Sequence, residues 1–210
     1  MKGILMHKGD VIDLLKKRLN FSDKSIAKLE FFHDSLLKSN KKYNLIAKST
    51  ETSIWNRHIL DSAQIIELFN HKKVNKIADF GSGAGLPGLI ISIFDEKRKF
   101  HVKLYEKSPV KRDFLARIGK KLELKIDIID NVYVKAISAD LIVCRAFKKL
   151  DAIINISREI VEKPHKLIIL KGKNAQAEIN KVSLRNNYSY KMKDSITDNK
   201  SKIIILDVKK

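Results

Sequence analysis

Between residues 10 and 48 the apolar side chains recur every three or four positions, in VIDLLKKRL and again in SIAKLEFFHDSLLKS, with charges between them. That spacing predicts two amphipathic helices. Ser22 is the natural N-cap of the second, because its hydroxyl can accept from a first-turn N–H. KKYNLIAKST at 41–50 breaks the period, and ETSIWNRHILDSAQIIELF at 51–69 resumes it. In the latter, Ile54, Trp55, Ile59, Ala63, Ile66 and Phe69 fall near one face, and Asn70 is the stop. Beyond this point the pattern changes to short β-branched runs at 76–80, 100–105, 125–130, 140–145, 166–171, 187–193 and 202–208. Helical patterns separate most of them. The alternation predicts an α/β fold with a doubly wound parallel sheet and ligands at the carboxyl ends of its strands. No long helix fits between the last two runs, so the final strand should enter antiparallel. The expected organisation is a helical cap over residues 1–70 on an α/β domain over 71–210, without internal repeats or low-complexity linkers.

The first of these strands runs into the most distinctive stretch of the chain, IADFGSGAGLPGLIISIF at 77–94. An apolar run ends at Asp79 and Phe80, three glycines follow at alternate positions (Gly81, Gly83, Gly85), and Pro87 opens a helical pattern. Glycine lets the backbone take φ > 0 and approach a ligand closely. Proline is tolerated in a first helical turn. Gly83, Gly85 and Gly88 match the dinucleotide fingerprint GxGxxG, but that match alone is weak. Gly83 falls late after the strand, and Asp79 stands at the strand end, where a carboxylate would repel a pyrophosphate. It would attract a cation such as the amino group of S-adenosyl-L-methionine, whose sulfonium is also positive and which carries no phosphate. The second strand ends at Glu106, placed to accept hydrogen bonds from ribose hydroxyls. NAD and S-adenosyl-L-methionine share that need. The plainer alternative has Asp79 capping the turn and Glu106 pairing with lysines; loop and acid at fitting spacing favour a cofactor.

Composition narrows the setting. A chain of 210 residues with 44% hydrophobic content suits one domain, or one domain with a small extension. The longest apolar runs, such as LIVC at 141–144 and IIIL at 203–206, are far short of a membrane span. The N-terminal apolar stretch is too short for a signal peptide. One cysteine and six scattered histidines give neither a disulfide framework nor a metal-ligand set, so no metal is expected. The expectation is a soluble cytoplasmic protein. Its 43 Lys and Arg against 24 Asp and Glu give a net charge of +19. A field of this size favours a polyanionic partner, with nucleic acid ahead of mere surface solvation.

Smaller constellations follow. NRHILDS at 56–62 puts Arg57 and His58 about one helical turn before Asp61. Spacing alone favours an ordinary salt bridge there, the alternative being a basic pair facing RNA or a pocket. The fourth strand ends at Arg145, where a guanidinium can meet a cofactor or a substrate phosphate. Cys144, inside the same apolar run, reads as core. Lys171-Gly172 closes the fifth strand as a phosphate contact or a plain turn. Lys111 and Arg112 form one of several basic pairs.

Taken in order, YNL at 43–45, RHILDS at 57–62, DFGSGAGLPG at 79–88, the acid at Glu106, KRDFL at 111–115, CRAF at 144–147 and LKGKN at 170–174 resemble one family. It is the bacterial 16S rRNA guanine-N7 methyltransferases, RsmG, also called glucose-inhibited division protein B. The resemblance implies a seven-stranded, Rossmann-like, S-adenosyl-L-methionine-dependent methyltransferase acting on N7 of guanine 527 in 16S ribosomal RNA of the small subunit. It implies that Gly81 and Leu86 line the cofactor, that Val132 and Tyr133 flank the adenine, and that Arg145 belongs to the cofactor site. With Asp79, Gly83, Gly85 and Glu106 these make the expected cofactor set. Arg57, His58, Lys111, Arg112 and Lys171 are the expected RNA contacts. Guanine N7 has a free lone pair, so no general base is expected. The alternatives are an NAD-dependent oxidoreductase and a non-catalytic RNA-binding assembly protein.

Overall fold

Ser22 caps the second helix as its side chain dictates: its Oγ accepts from the Ser25 N–H at 3.1 Å. In this computed structural model, which describes residues 6–133, 136–182 and 188–209, that helix is α2 (Asp23–Tyr43), and it follows α1 (Lys8–Lys17). Residues 1–5 of the expected cap and residue 187 of an expected strand lie outside the described residues. α2 ends where Asn44 turns left-handed, φ 46°.

The expected helix over 51–69 is four short pieces. A 3₁₀ turn (Lys48–Ser53) leads into a π-helical stretch (Trp55–Leu60), one α-turn, α3 (Asp61–Ala63), and a second 3₁₀ turn (Gln64–Leu68). The apolar face survives this change of winding, since Ile54, Trp55, Ile59, Ala63, Ile66 and Phe69 are all buried.

The seven strands are β1 (Lys76–Phe80), β2 (His101–Tyr105), β3 (Ile126–Ile129), β4 (Leu141–Arg145), β5 (His165–Lys171), β6 (Tyr188–Asp194) and β7 (Lys202–Val208). They form one sheet in the order β3-β2-β1-β4-β5-β7-β6. The first five are parallel, and β7 inserts antiparallel between β5 and β6. The intervening helices are α4 (Gly88–Phe94), α5 (Pro109–Lys121), α6 (Leu150–Ile160) and α7 (Ala175–Lys181).

Strand alternation divides the core between the two faces of the sheet. On β4, Leu141 and Val143 join one cluster while Ile142 and Cys144 join the other. The first cluster includes Val11, Leu15, Phe32 and Ile59 from the N-terminal elements together with Leu89 of α4 and Phe114 of α5. The second holds Ile153 and Ile156 of α6 and Ile179 of α7. With both faces covered, the ends of the parallel strands are the open ground, and β1 and β4 lie at the centre of the sheet.

Candidate functional site

The turn after β1 is drawn tight by its own backbone. The N–H groups of Gly81 and Ser82 both donate to the Tyr105 carbonyl, at 2.9 and 3.0 Å, and those of Gly85 and Leu86 donate to the Ser82 carbonyl, at 2.7 and 2.9 Å. Gly83 N–H donates to Glu106 Oε2 at 2.8 Å. Gly88 N–H donates to Asp79 Oδ2 at 2.9 Å. Gly88 is glycine for a steric reason: a Cβ there would lie 2.5 Å from Leu104 and 2.7 Å from Asp79 Oδ2. Gly81, at φ 73°, lies under Phe147, whose ring would be 2.5 Å from an added Cβ.

These bonds revise two sequence expectations. Asp79 is fully buried and turned to Gly88. It therefore organises the turn and does not present its carboxylate on the cleft surface. Its other oxygen, Oδ1, is buried without a hydrogen-bond partner among the described residues. Burial pushes its pKa up to about 7, against the pull of the Gly88 hydrogen bond. Gly85 is likewise buried behind the turn.

In front of the turn lies a cleft of about 470 Å³ at the carboxyl ends of β1 to β4, a size ordinary for a small-molecule site. Gly81, Gly83 and Leu86 of the turn line it, with Glu106 after β2 and Val132 and Tyr133 after β3. Val132 is buried and Tyr133 is 53% exposed. Glu106 is held at both oxygens, since Ser108 N–H donates to Oε1 at 2.8 Å. Asp130 and Asn131, which the sequence reading missed, also face the cleft. Their signal was positional: Asp130 follows β3 as Glu106 follows β2. The loop Leu45–Ala47 closes another side. Asn40 fixes it, accepting from Ile46 N–H at 2.9 Å and donating to Glu51 at 2.6 Å.

Arg145 enters from β4 and is held by three partners. Nη1 donates to the Arg57 carbonyl at 2.9 Å and to Asp61 Oδ2 at 3.3 Å, and Nη2 lies 2.8 Å from His58 Nδ1. Arginine has no acceptor, so Nδ1 must be the unprotonated nitrogen of His58. Nε2–H then donates to Thr50 Oγ1 at 2.8 Å, and Thr50 donates to the Ala47 carbonyl at 2.7 Å. The relay joins Arg145 to the cleft-lining loop. Burial first, then the charges of Arg145 and Arg57, pull the His58 pKa down to about 3, so it is neutral. Asp61 is gripped from the far side by Gln64 Nε2 (2.9 Å), Thr197 Oγ1 (3.0 Å) and Ser195 Oγ (3.3 Å).

Several expectations for RNA contacts change accordingly. The salt bridge of Arg57 and His58 to Asp61 does not form, because π-helical winding separates them and Arg145 takes the carboxylate. His58 is a buried neutral cleft residue, while the Arg57 side chain is exposed. Lys111 lines the cleft. Arg112 instead donates to the carbonyls of Glu106 and Lys107, at 3.0 and 2.7 Å. Lys171 turns inward to Glu178, at 2.8 Å, and to the Lys148 carbonyl, at 2.6 Å. Cys144 is buried core, and its thiol pKa is raised by burial. Among the described residues no His, Cys, Asp and Glu cluster could hold a metal ion.

The family model described as rRNA small subunit methyltransferase G matches residues 25–205 of the chain. A protein of Orientia tsutsugamushi (strain Ikeda) named ribosomal RNA small subunit methyltransferase G is 33% identical over 199 residues, 94% of this chain and 98% of that one. The protein of the same name from Rickettsia prowazekii (strain Madrid E) is 37% identical over 180 residues, 85% of this chain and 92% of its own. Among solved structures, the cofactor-bound Rv0187 from MTB superposes with a TM-score of 0.64 at 10% identity, covering 97% of each chain. That likeness is one of fold.

Proposed function

The chain belongs to the rRNA small subunit methyltransferase G family, and from this premise we propose that it methylates N7 of guanine 527 in 16S ribosomal RNA. As a member of that family it is an enzyme that uses S-adenosyl-L-methionine to methylate ribosomal RNA of the small subunit.

The observation that carries the choice of ligand is the state of the glycine turn. A pyrophosphate is normally held by free N–H groups of such a turn. Here the N–H groups of Gly81, Ser82, Gly83, Gly85, Leu86 and Gly88 are engaged within the protein. The cleft offers carboxylates in their place, Glu106 and Asp130. Those two carboxylates suit hydroxyls and positive charge, as an adenosyl sulfonium carries; Lys107, Lys111, Arg145 and Lys148 line the same cleft, so it is the engaged turn that disfavours a pyrophosphate there.

In this reading Glu106 keeps acceptor capacity for both ribose hydroxyls, and Val132 and Tyr133 flank the adenine. Gly81, Gly83 and Leu86 contact the methionine part, with Asp79 and Gly85 behind them shaping the turn. Arg145, pinned by Asp61 and His58, orders the wall beside the transferred group. When bound, S-adenosyl-L-methionine supplies an electrophilic methyl on a positive sulfur. Transfer of that methyl to the N7 lone pair would leave the positive charge on the guanine and would need no base from this chain. No proton has to leave the base, so the chain's contribution is to align and to exclude water. Lys111, which lines the cleft, and the exposed Arg57, next in the chain to cleft-lining His58, would meet the RNA. Among the described residues no helix is long and apolar enough to cross a membrane, and the reading puts the protein in the cytoplasm with the ribosomes.

The test is transfer of labelled methyl from S-adenosyl-L-methionine to 16S rRNA, with the product mapped as 7-methylguanine. Calorimetry should detect S-adenosyl-L-methionine and no NAD. Label at another base would overturn the assignment to guanine 527, and RNA affinity without transfer would leave a non-catalytic assembly protein.

A further inference from the structure

We propose that the groove between α2 and α5 is the docking track for an unpaired stretch of the RNA substrate, leading its strand to the mouth of the cleft. The inference rests on the rRNA reading above and adds the surface that recognises the RNA.

The groove, about 430 Å³, is walled by one face of α2, with Phe31, Lys38, Lys42 and Tyr43, and one face of α5, with Arg117 and Lys121. Beneath it the helices are closed together by Phe32 and Phe114, whose rings are 6.3 Å apart. Phe31 and Tyr43 are nevertheless 37% and 45% exposed. Exposed aromatics between cations suit bases that stack while their phosphates meet ammonium groups. Among the described residues no carboxylate lines this groove. Asp113 flanks its Tyr43 end, where Arg117 Nε donates to the Asp113 carbonyl at 3.3 Å. Cations near α1 behave differently: Lys16, Lys17 and Arg18 pair with Asp23, Asp13 and Glu67. Among the described residues, Lys38, Lys42 and Lys121 pair with no carboxylate.

Position supports the same occupant. From Phe31 to Tyr43 the helix runs roughly 18 Å. At its end Tyr43 is two residues from Leu45, and Val110 adjoins Lys111; Leu45 and Lys111 line the cofactor cleft. Val110 is itself 41% exposed. A strand lying on this track therefore arrives where a base has to be delivered. Stacking needs open base faces, which selects a single strand over a duplex.

The experiment compares K38E/K42E with K72E/K73E, an equal change of charge at exposed positions that precede the amino end of β1, whose carboxyl end meets the cleft. Binding to protein-free 16S rRNA should weaken about tenfold in K38E/K42E beyond the control, with a log–log salt slope shallower by about 1.4 for two lost phosphate contacts. F31A/Y43A should lose about tenfold with the slope unchanged. In both, S-adenosyl-L-methionine affinity and kcat at saturating RNA should hold, which also shows that the variants fold. Losses no greater than the control's, or F31A/Y43A binding like the unmodified chain, would overturn the proposal. So would losses seen on assembled particles and absent on protein-free rRNA, since the groove would then receive a protein. If the unmodified chain transfers no methyl to 16S rRNA, the functional reading itself fails. If it does transfer and the variants match the control, only the docking track fails.

Discussion

Two buried groups near the cleft carry opposite pH signatures. Asp79 has its pKa raised from 3.8 to about 7, chiefly by burial. Between those values the unfolded chain has released a proton that the folded chain still holds. Stability therefore falls as pH rises through this window and is level above it, by about 4 kcal/mol in total. Asp79→Asn keeps an acceptor for Gly88 without the charge, so in denaturant titrations it should gain on the unmodified chain between pH ~4 and ~7. Parallel curves would clear the carboxylate. His58 runs the other way. Its pKa falls from 6.5 to about 3, first through burial. Below 6.5 the unfolded imidazole takes up a proton that the folded one refuses, so stability falls on acidification through that window. His58→Gln should flatten that limb. At Gly88 the issue is space. An added methyl meets Leu104 and Asp79, and Gly88→Ala should cost about 2 kcal/mol, lowering Tm by roughly 4–8 °C.

Among the elements, those governed by local pattern were legible and those governed by distant partners were not. All seven strands fall where β-branched runs predicted them, with bounds shifted by a residue or so, and β7 enters antiparallel as its short connection required. The glycine turn and Glu106 were equally readable, because turn chemistry is local. The winding over residues 48–68 was not. Asp61 is tied to Ser195 and Thr197 from the connection between β6 and β7, and no helical period encodes partners over 130 residues away. Lys171-Gly172 reads as a phosphate contact or a plain turn because the partner of Lys171, Glu178, lies on α7, beyond the turn. The same long-range tie makes a prediction. Asp61→Asn should loosen Arg145 and weaken S-adenosyl-L-methionine binding in calorimetry, at a stability cost of about 2 kcal/mol for a partly buried ion pair. Thr197→Val should do the same more weakly. Unchanged affinity in both would detach the network from the cofactor wall.

For the whole molecule, the net charge of +19 signalled a polyanion without saying where it binds. Part of that charge is neutralised locally, as in the pairs of Lys8 with Glu30 and Lys166 with Asp207, and only the fold separates these from Lys38 and Lys42 of α2, which pair with no carboxylate among the described residues. RNA affinity should fall with salt at a log–log slope of roughly −0.7 per neutralised phosphate on single strands. A flat dependence would rule out phosphate contacts as the source of affinity.

The lone thiol offers a further handle. Cys144 lies on β4, beside Arg145 and one strand from the glycine turn, and solvent does not reach it. A thiol reagent can modify it only when the middle of the sheet opens, so the labelling rate of the native chain is a clock for that opening. Ligand that fastens the cleft should slow the clock, and a reagent that reacts at once would show the central strands parting far more readily than their packing implies.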